Sequence, residues 1–403
     1  MGQDFIQYEN KYSFIQYDNN RIELPGDSLD FMMFMKKFDH LVGTGQGKLN
    51  IVHFGGSHVQ ADMWTRTIRQ HFDRFLNQRF ASRGTIFPYK AVRTNGSSQY
   101  DVEYNKPWNG LRNVMLNGSG ERMGLMGWRA TAKDSGQYIK ITLKNDESSL
   151  FYFDELRVFY DTGVMYFPFS IEVDSMAYMS DFDTSCSCAK FLFNEIANSF
   201  TLTVHKLDSL QTAFNLYGIQ TDLHNTGLIY HSVGVNGASI PSYLSCPDLE
   251  QQLALLHPDL IIFSIGINDA FGINFSREGF EYNYTELIRR IRKTCPDVAI
   301  LFTTNTDSYK TIRRRVYKNY SGNEVRTAMY NLAKKNGAAV WDLYSVMGGL
   351  GSIASWKKHG LAQRDLVHLN NAGYTYLGNL FFDAFLTKYE DFILSPFATL
   401  SYE

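Results

Sequence analysis

The chain has 403 residues, 44% of them apolar and 20% charged, with a mean hydropathy of −0.26. This is the profile of a water-soluble globular protein, too long for one ordinary core and short for three. A net charge of −2 without long blocks of one sign argues against a nucleic-acid binder, and no apolar run reaches membrane-spanning length.

The start, M-G-Q-D-F, shows neither a signal peptide nor the Ser/Thr of a myristoylation signal, which is compatible with a mature form whose export signal has been removed. N-I-V-H-F at 50–54 predicts a short buried strand. From Val59 onward Met63, Ile68, Phe72, Phe75, Leu76 and Phe80 share a helical face, so Ser57 lies on a strand-to-helix turn. Residues from about 96 to 224 change rhythm: Y-D-V-E-Y, Y-I-K-I-T-L, L-F-Y-F-D-E-L-R-V-F-Y, F-S-I-E-V and F-T-L-T-V are short strands separated by turns such as N-G-S-G and K-D-S-G. Regular short strands predict a β-sandwich, inserted between one βα unit and the next. Within it Trp108, Trp128 and Tyr138 are candidates for stacking on sugar rings, although aromatic residues serve cores equally. Four cysteines are too few for a disulfide framework, and Cys186 and Cys188 form C-x-C with no second pair to complete a zinc site. Free or locally paired thiols are expected, and neither a metal nor a cofactor.

After 225 the alternation returns. L-I-Y-H-S-V (228–233) precedes a helix near Leu244–Leu256, and D-L-I-I-F-S-I-G (259–266) is too apolar to alternate, as when both faces are covered. A helix over Tyr284–Thr294, the strand V-A-I-L-F-T (298–303), a helix ending at Asn336–Gly337, the strand A-A-V-W-D (338–342) and a helix from Asn371 complete the pattern. The basic run R-R-I-R-K (289–293) sits on the first of these helices with Leu287, Ile288 and Ile291 inward, which reads as a solvated face. Arg313, Arg314 and Arg315 form a second basic cluster. Alternating strands and helices predict a parallel sheet covered on both faces, an α/β domain of residues 1–95 and 225–403 interrupted by an all-β insertion at 96–224.

In an open parallel sheet, ligands bind beyond the carboxyl ends of the strands. G-G-S-H (55–58), G-V-N-G-A (234–238), G-I-N-D (266–269) and D-L-V-H-L (365–369) fall at such ends or in nearby loops. Each has a plain structural reading: Ser57 as a helix N-cap, Asn268 as a turn residue, His368 as a hydrogen-bonded histidine near the core. His53, inside a strand, reads as a satisfied buried histidine, and His58 as pointing away from its neighbour. Together, however, the blocks supply an acyl-transfer site. Ser57 provides a hydroxyl, His368 can take its proton, and Asp365 three residues earlier can hold the ring. The backbone N–H groups of Ser57 and Gly237 and the side-chain amide of Asn268 can form an oxyanion hole.

This order of Gly-x-Ser, Gly, Gly-x-Asn-Asp and Asp-x-x-His resembles the SGNH (GDSL-type) hydrolase family over residues 50–62 and 228–390. The G-x-S-x-G elbow of the other common serine-esterase fold is missing. The resemblance implies a three-layer α/β/α, flavodoxin-like fold with the nucleophile on Ser57, oxyanion donors on Ser57, Gly237 and Asn268, and the base and its orienting acid on His368 and Asp365. One departure is that Gly56 stands where the family usually has aspartate. An insertion of this size and place is similar to the jelly-roll-like, carbohydrate-binding domain of family members that remove O-acetyl groups from bacterial cell-wall polysaccharide. The resemblance thus implies an esterase acting on an O-acetylated glycan such as peptidoglycan, in the periplasm, on the envelope or secreted. An O-acetyltransferase using the same site, or a glycan-binding protein on a weakened hydrolase scaffold, fits the same residues. The oligomeric state stays open.

Overall fold

A computed structural model describes residues 11–77, 80–116, 120–145, 151–174, 176–224, 227–272 and 274–399. The M-G-Q-D-F start and positions 117–119 of the N-G-S-G turn lie outside them. Strands β1 (Ile22–Glu23), β2 (Lys48–Gly55), β3 (Phe80–Ser82), β4 (Gly227–Gly234), β5 (Leu260–Ser264), β6 (Ala299–Thr303) and β7 (Ala339–Trp341) form one sheet in the order β1-β7-β6-β5-β2-β4-β3. All neighbours from β7 to β3 run parallel, and only β1 at the edge is antiparallel. Every residue of β4 is buried, the signature of a strand covered on both faces.

Helices α1 (Leu29–Thr44), α2 (Ser57–Gln60), α3 (Met63–Phe75), α4 (Ile240–Leu244), α5 (Leu249–Ala254), α6 (Ile267–Ala270), α7 (Arg277–Thr294), α8 (Ser321–Asn336) and α9 (Asn371–Ile393) flank the sheet. One layer holds α1, α3 and α9, where Phe38 meets Phe72 and Phe385 edge-on at 5.9 and 5.1 Å. The other holds α4, α5, α7 and α8. Helix α7 buries Leu287, Ile288 and Ile291 as its periodicity predicts, and its basic residues are paired outward: Arg289 with Glu286, Arg290 with Glu250, Arg292 with Asp30.

The single helix read from Val59 to Phe80 is in fact two helices and a strand. Asp62, in the left-handed region at φ 56°, divides α2 from α3; α3 ends at Phe75, and Phe80 opens β3. Likewise the helix read at 244–256 is the pair α4 and α5.

The middle of the chain forms two antiparallel sheets. A four-stranded one runs Phe169–Glu172, Ser199–Val204, Tyr138–Leu143, Tyr100–Tyr104. The larger runs Tyr178–Asp183, Cys188–Ala197, Phe153–Tyr160, Phe214–Asp222, Trp128–Ala132, Asn109–Arg112, with Gly84–Ile86 pairing alongside Phe214–Asp222. Phe169 of the smaller sheet packs on Tyr160, Phe191 and Phe214 of the larger, and Phe200 on Phe153, so an apolar layer separates the two. Trp108 and Trp128 are buried, Trp108 edge-on to Phe214 and Trp128 against Phe87 and Tyr89. Neither presents a ring to a sugar, because aromatics on inward-facing strand positions fill the layer; Tyr138 is half-buried. Cys186 and Cys188 form a disulfide, while Cys246 and Cys295 are free and buried.

Candidate active site

The sheet order places β4, β2 and β5 side by side, and the chain leaves β2 toward one edge and returns to the other side of it at β5. That reversal opens a crevice at the carboxyl ends of these strands. Ser57 follows β2, Gly237 follows β4 and Asn268 follows β5, so three blocks far apart in sequence converge because three adjacent strands end together.

Close approach of backbone makes the turn possible. A side chain at Gly55 would strike Val59 at 2.2 Å, and one at Gly234 would strike the backbone of Gln60 at 2.1 Å, so α2 rests directly on the strand ends. Tyr243 Oη donates to the carbonyls of Gly55 (2.8 Å) and Val233 (3.2 Å), tying the two strand ends together. Behind the turn lies a fully buried ionic cluster. Asp62 accepts from Arg69, Thr65, Arg83 (2.7 Å) and Ser232 (3.0 Å), and Arg69 also donates to Ser232 (2.7 Å) and Gln99 (2.8 Å). Burial works against the Asp62 carboxylate, but the Arg69 and Arg83 guanidiniums outweigh it and hold its pKa far below the usual range.

Ser57 is the first residue of α2 and Gly56 its N-cap, with no side chain capping the helix. The serine hydroxyl faces His368 Nε2 at 2.8 Å instead. His368 Nδ1 lies 2.7 Å from Asp365 Oδ2, while Asp365 Oδ1 accepts from the backbone N–H of Val367 and of His368, both at 3.0 Å. Partial burial raises the Asp365 pKa, yet the His368 ring and these two N–H groups prevail and keep it below the ordinary carboxylate value. The loop bearing both residues closes on itself through Gln363 N–H to His368 O (2.8 Å) and leads into the Asn370 N-cap of α9. Leu366, between the pair, takes a left-handed φ of 57° that turns the loop tightly enough for the two side chains to meet.

Gly237 has φ 85°, a conformation that favours glycine. Among the described residues, neither its N–H nor that of Ser57 donates to any acceptor. The Asn268 amide gives one hydrogen to Ala238 O at 2.8 Å and keeps the second. Ser57, Gly237, Asn268 and His368 all line one cleft of about 600 Å³. A hydroxyl paired with a histidine, in one cleft with three unspent donors, is an arrangement suited to attack on an ester carbonyl.

His53 bonds Tyr230 at 2.7 Å and Ser264, and burial lowers its pKa to about 3, so it is a neutral core residue as read. His58 turns from Ser57 and pairs with Tyr374 Oη at 2.8 Å; burial and the neighbouring His368 lower it to about 3. Its ring stacks on that of His368 at 5.2 Å.

Sequence reading missed three supports. Gln60 accepts from Asn236 N–H (2.7 Å) and donates to Asn95 O (2.8 Å), clamping the Gly237 loop to α2. Arg112, from the antiparallel region, lies over Trp128 and donates to Asn236 O at 3.0 Å, at the cleft wall. Asp269 accepts from Ile240 N–H at 3.2 Å, and burial pushes its pKa up to about 7. Only Asp269, inside G-I-N-D, and Gln60, beside the serine block, gave any local signal. Among the described residues, no group of three or more His, Cys, Asp or Glu side chains could hold a metal, and no helix is long and apolar enough to cross a membrane.

Residues 209–376 match the model of the GDSL-like lipase/acylhydrolase family, a span holding Gly237, Asn268, Asp365 and His368 but not the Ser57 block. That segment is a domain of this family, and the protein is a hydrolase of the esterase class. In three dimensions, 92% of the chain aligns with 99% of a peptidoglycan O-acetylesterase at a TM-score of 0.73 and 19% identity, a likeness of fold over nearly the whole length. An acetyl xylan esterase (23% identity, 39% of this chain, 80% of that, TM-score 0.31) and an acetylxylan esterase from Geobacillus stearothermophilus (19%, 41%, 73%, 0.31) share a smaller part. A comparison with curated protein sequences finds none that matches.

Proposed function

We propose that this protein removes O-acetyl groups from a bacterial cell-wall glycan through an acetyl-enzyme intermediate on Ser57. The observation that carries the reading is the unbroken chain Ser57–His368–Asp365, at 2.8 and 2.7 Å, opening on the donors of Gly237 and Asn268. His368 Nε2 takes the Ser57 proton as Oγ attacks the acetyl carbonyl, and Asp365 holds Nδ1–H and stabilises the imidazolium. The oxyanion accepts from Ser57 N–H, Gly237 N–H and Asn268 Nδ2. His368 then protonates the departing sugar oxygen, and a water activated by the same ring releases acetate.

The glycan substrate is favoured by the kinship in fold with a peptidoglycan O-acetylesterase and by the amides of Asn95 and Gln363 on the cleft wall, which suit sugar hydroxyls. Residues 96–224 are, in this reading, a jelly-roll-like inserted domain, and Arg112 is its contribution to the cleft. The Cys186–Cys188 disulfide suits an oxidising compartment, in keeping with work outside the cytoplasm. The test is acetate release from O-acetylated peptidoglycan and acetylated xylan by wild type and Ser57→Ala. Loss of release in the variant with an unchanged unfolding midpoint is expected; retained release sinks the nucleophile assignment. Acetyl appearing on an added oligosaccharide rather than as acetate would redirect the same chemistry to transfer.

A further inference from the structure

The chain carries two basic clusters, and they differ in how their charge is met. On α7 each of Arg289, Arg290 and Arg292 has a carboxylate partner. The segment Y-K-T-I-R-R-R-V-Y-K, 309–318, has five basic residues and no acidic one. It is an antiparallel hairpin of Tyr309–Ile312 and Arg315–Lys318, exposed from Thr311 onward. None of Lys310, Arg313, Arg314 and Arg315 makes an ion pair or side-chain hydrogen bond among the described residues.

The register sets what faces where. Lys310 opposes Tyr317 and Ile312 opposes Arg315, so these four side chains share one face. That face, with Arg313 at the turn, lines a groove of about 980 Å³ whose far wall is Phe271. Phe271 also lines the catalytic cleft, so groove and cleft adjoin. The hairpin's base is fastened to the catalytic loop itself: Tyr309 N–H donates to Leu366 O at 2.9 Å, between Asp365 and His368. The turn residues Arg313 and Arg314 both adopt left-handed φ, 47° and 66°, positions that a two-residue hairpin normally fills with Asn-Gly. Guanidiniums are thus held at sites where local conformation alone would select other residues.

We infer that the hairpin is an outer subsite that binds the carboxylates of an anionic glycan strand whose acetylated sugar lies at Ser57. Tyr317 offers a half-exposed ring for a sugar face, and Lys310, Arg313 and Arg315 offer cations around it. The inference deepens the esterase reading by giving the substrate a charge, and it rests on that reading for the continuity of polymer from groove to cleft.

The experiment measures binding without turnover, by affinity electrophoresis of the full chain carrying Ser57→Ala in gels containing polygalacturonate or uncharged xylan. A second protein adds Lys310→Thr, Arg313→Asn, Arg314→Gly and Arg315→Thr, and a third adds only Arg313→Asn and Arg314→Gly, which suit the turn and keep the hairpin folded. Polygalacturonate should retard the parent at about 50 mM salt and lose most of its hold near 500 mM, where screening is short-ranged. The four-site variant should bind it about tenfold more weakly or worse, the two-site variant should fall between, and xylan should not distinguish the three. Equal retardation of all three by polygalacturonate, or none of the parent, overturns the inference. Retardation by duplex DNA but not by polygalacturonate assigns a different partner and overturns it as well. Should the Ser57-bearing chain release no acetate from any acetyl ester, the esterase reading fails while the binding result stands by itself.

Discussion

In the resemblance to the SGNH family Gly56 stands where aspartate is usual, and its surroundings set a measurable expectation for Gly56→Ala. Its φ of −91° lies outside the left-handed region that favours glycine. A methyl there would sit 3.0 Å from Asn268 Nδ2, with the carbonyl oxygens of Ala238 and Val235 at 3.7 and 3.8 Å. Ordinary contact is about 3.5 Å, so the amide must withdraw by roughly 0.5 Å. Asn268 Nδ2 is held by Ala238 O at 2.8 Å and serves as an oxyanion donor in the proposed chemistry. Complete loss of such a donor costs about 100- to 1,000-fold in turnover, and a 1 Å misplacement at a reacting centre about 100-fold. Gly56→Ala should therefore lower kcat on a small acetyl ester about tenfold, near 1.4 kcal/mol of barrier, with KM within about twofold. Stability should hardly move, since losing glycine's unfolded-chain freedom gains about 0.4–1 kcal/mol against the tight contact. The decisive assay is a double-mutant cycle with Asn268→Ala, alone expected to lose about 100-fold or more. If the two losses act through one amide, the double variant is no worse than Asn268→Ala. Wild-type turnover in Gly56→Ala, or fully additive losses, would refute the coupling.

Two other predictions follow from the same geometry. Asp365→Asn keeps an acceptor for the loop N–H groups but presents an amide to His368 Nδ1; kcat should fall about 1,000-fold or more while circular dichroism stays unchanged, and a loss under tenfold would remove Asp365 from the mechanism. Asp62→Asn strips the charge that two buried guanidiniums share, and should cost about 3–5 kcal/mol by urea unfolding at pH 7. Because folding depresses the Asp62 pKa, its contribution is complete above the unfolded value near 3.9 and drains away as pH falls below it. The gap between wild type and Asp62→Asn must accordingly narrow below about pH 4, and a gap that is absent at pH 7 would disprove the ionic role.

The candidate site residues were legible because their chemistry is local. Asp365 and His368 are three apart, Ser57 sits at a strand-to-helix switch, and Gly237 and Asn268 each follow an apolar run that reads as a strand. Their meeting in one cleft follows from parallel strands ending at one edge of a sheet. What stayed hidden depends on pairings across long distances. Arg112 reaches the Gly237 loop from a strand more than a hundred residues away, and nothing in N-G-L-R announces it. The antiparallel edge strand β1 is two residues long, below any periodicity. The 309–318 hairpin has no apolar alternation, since neither face is buried, and its Arg-Arg turn lacks the usual turn residues. The break at Asp62 was missed because Val59 and Met63 continue a helical spacing across it; only the buried Arg69 and Arg83 give a left-handed aspartate a reason to be there.

With glycine at 56 there is a mechanical question, since the turn that carries Ser57 needs to be held. Here the bracing comes from both sides of the turn rather than from within it. Tyr243 ties Gly55 O to Val233 O, and Tyr89 Oη donates to Gly234 O at 3.1 Å, which fixes the ends of β2 and β4 against each other. Gln60 secures the Gly237 loop to α2, and Asp269 secures the start of α4 to α6, so the three donor segments are cross-linked pairwise without a charge beside Ser57. The buried charge sits instead on Asp62, six residues after Gly56, where two guanidiniums neutralise it inside the protein. A neutral residue at 56 then leaves no anion against Asn268 Nδ2, and in the proposed chemistry the amide is kept for the oxygen that becomes negative.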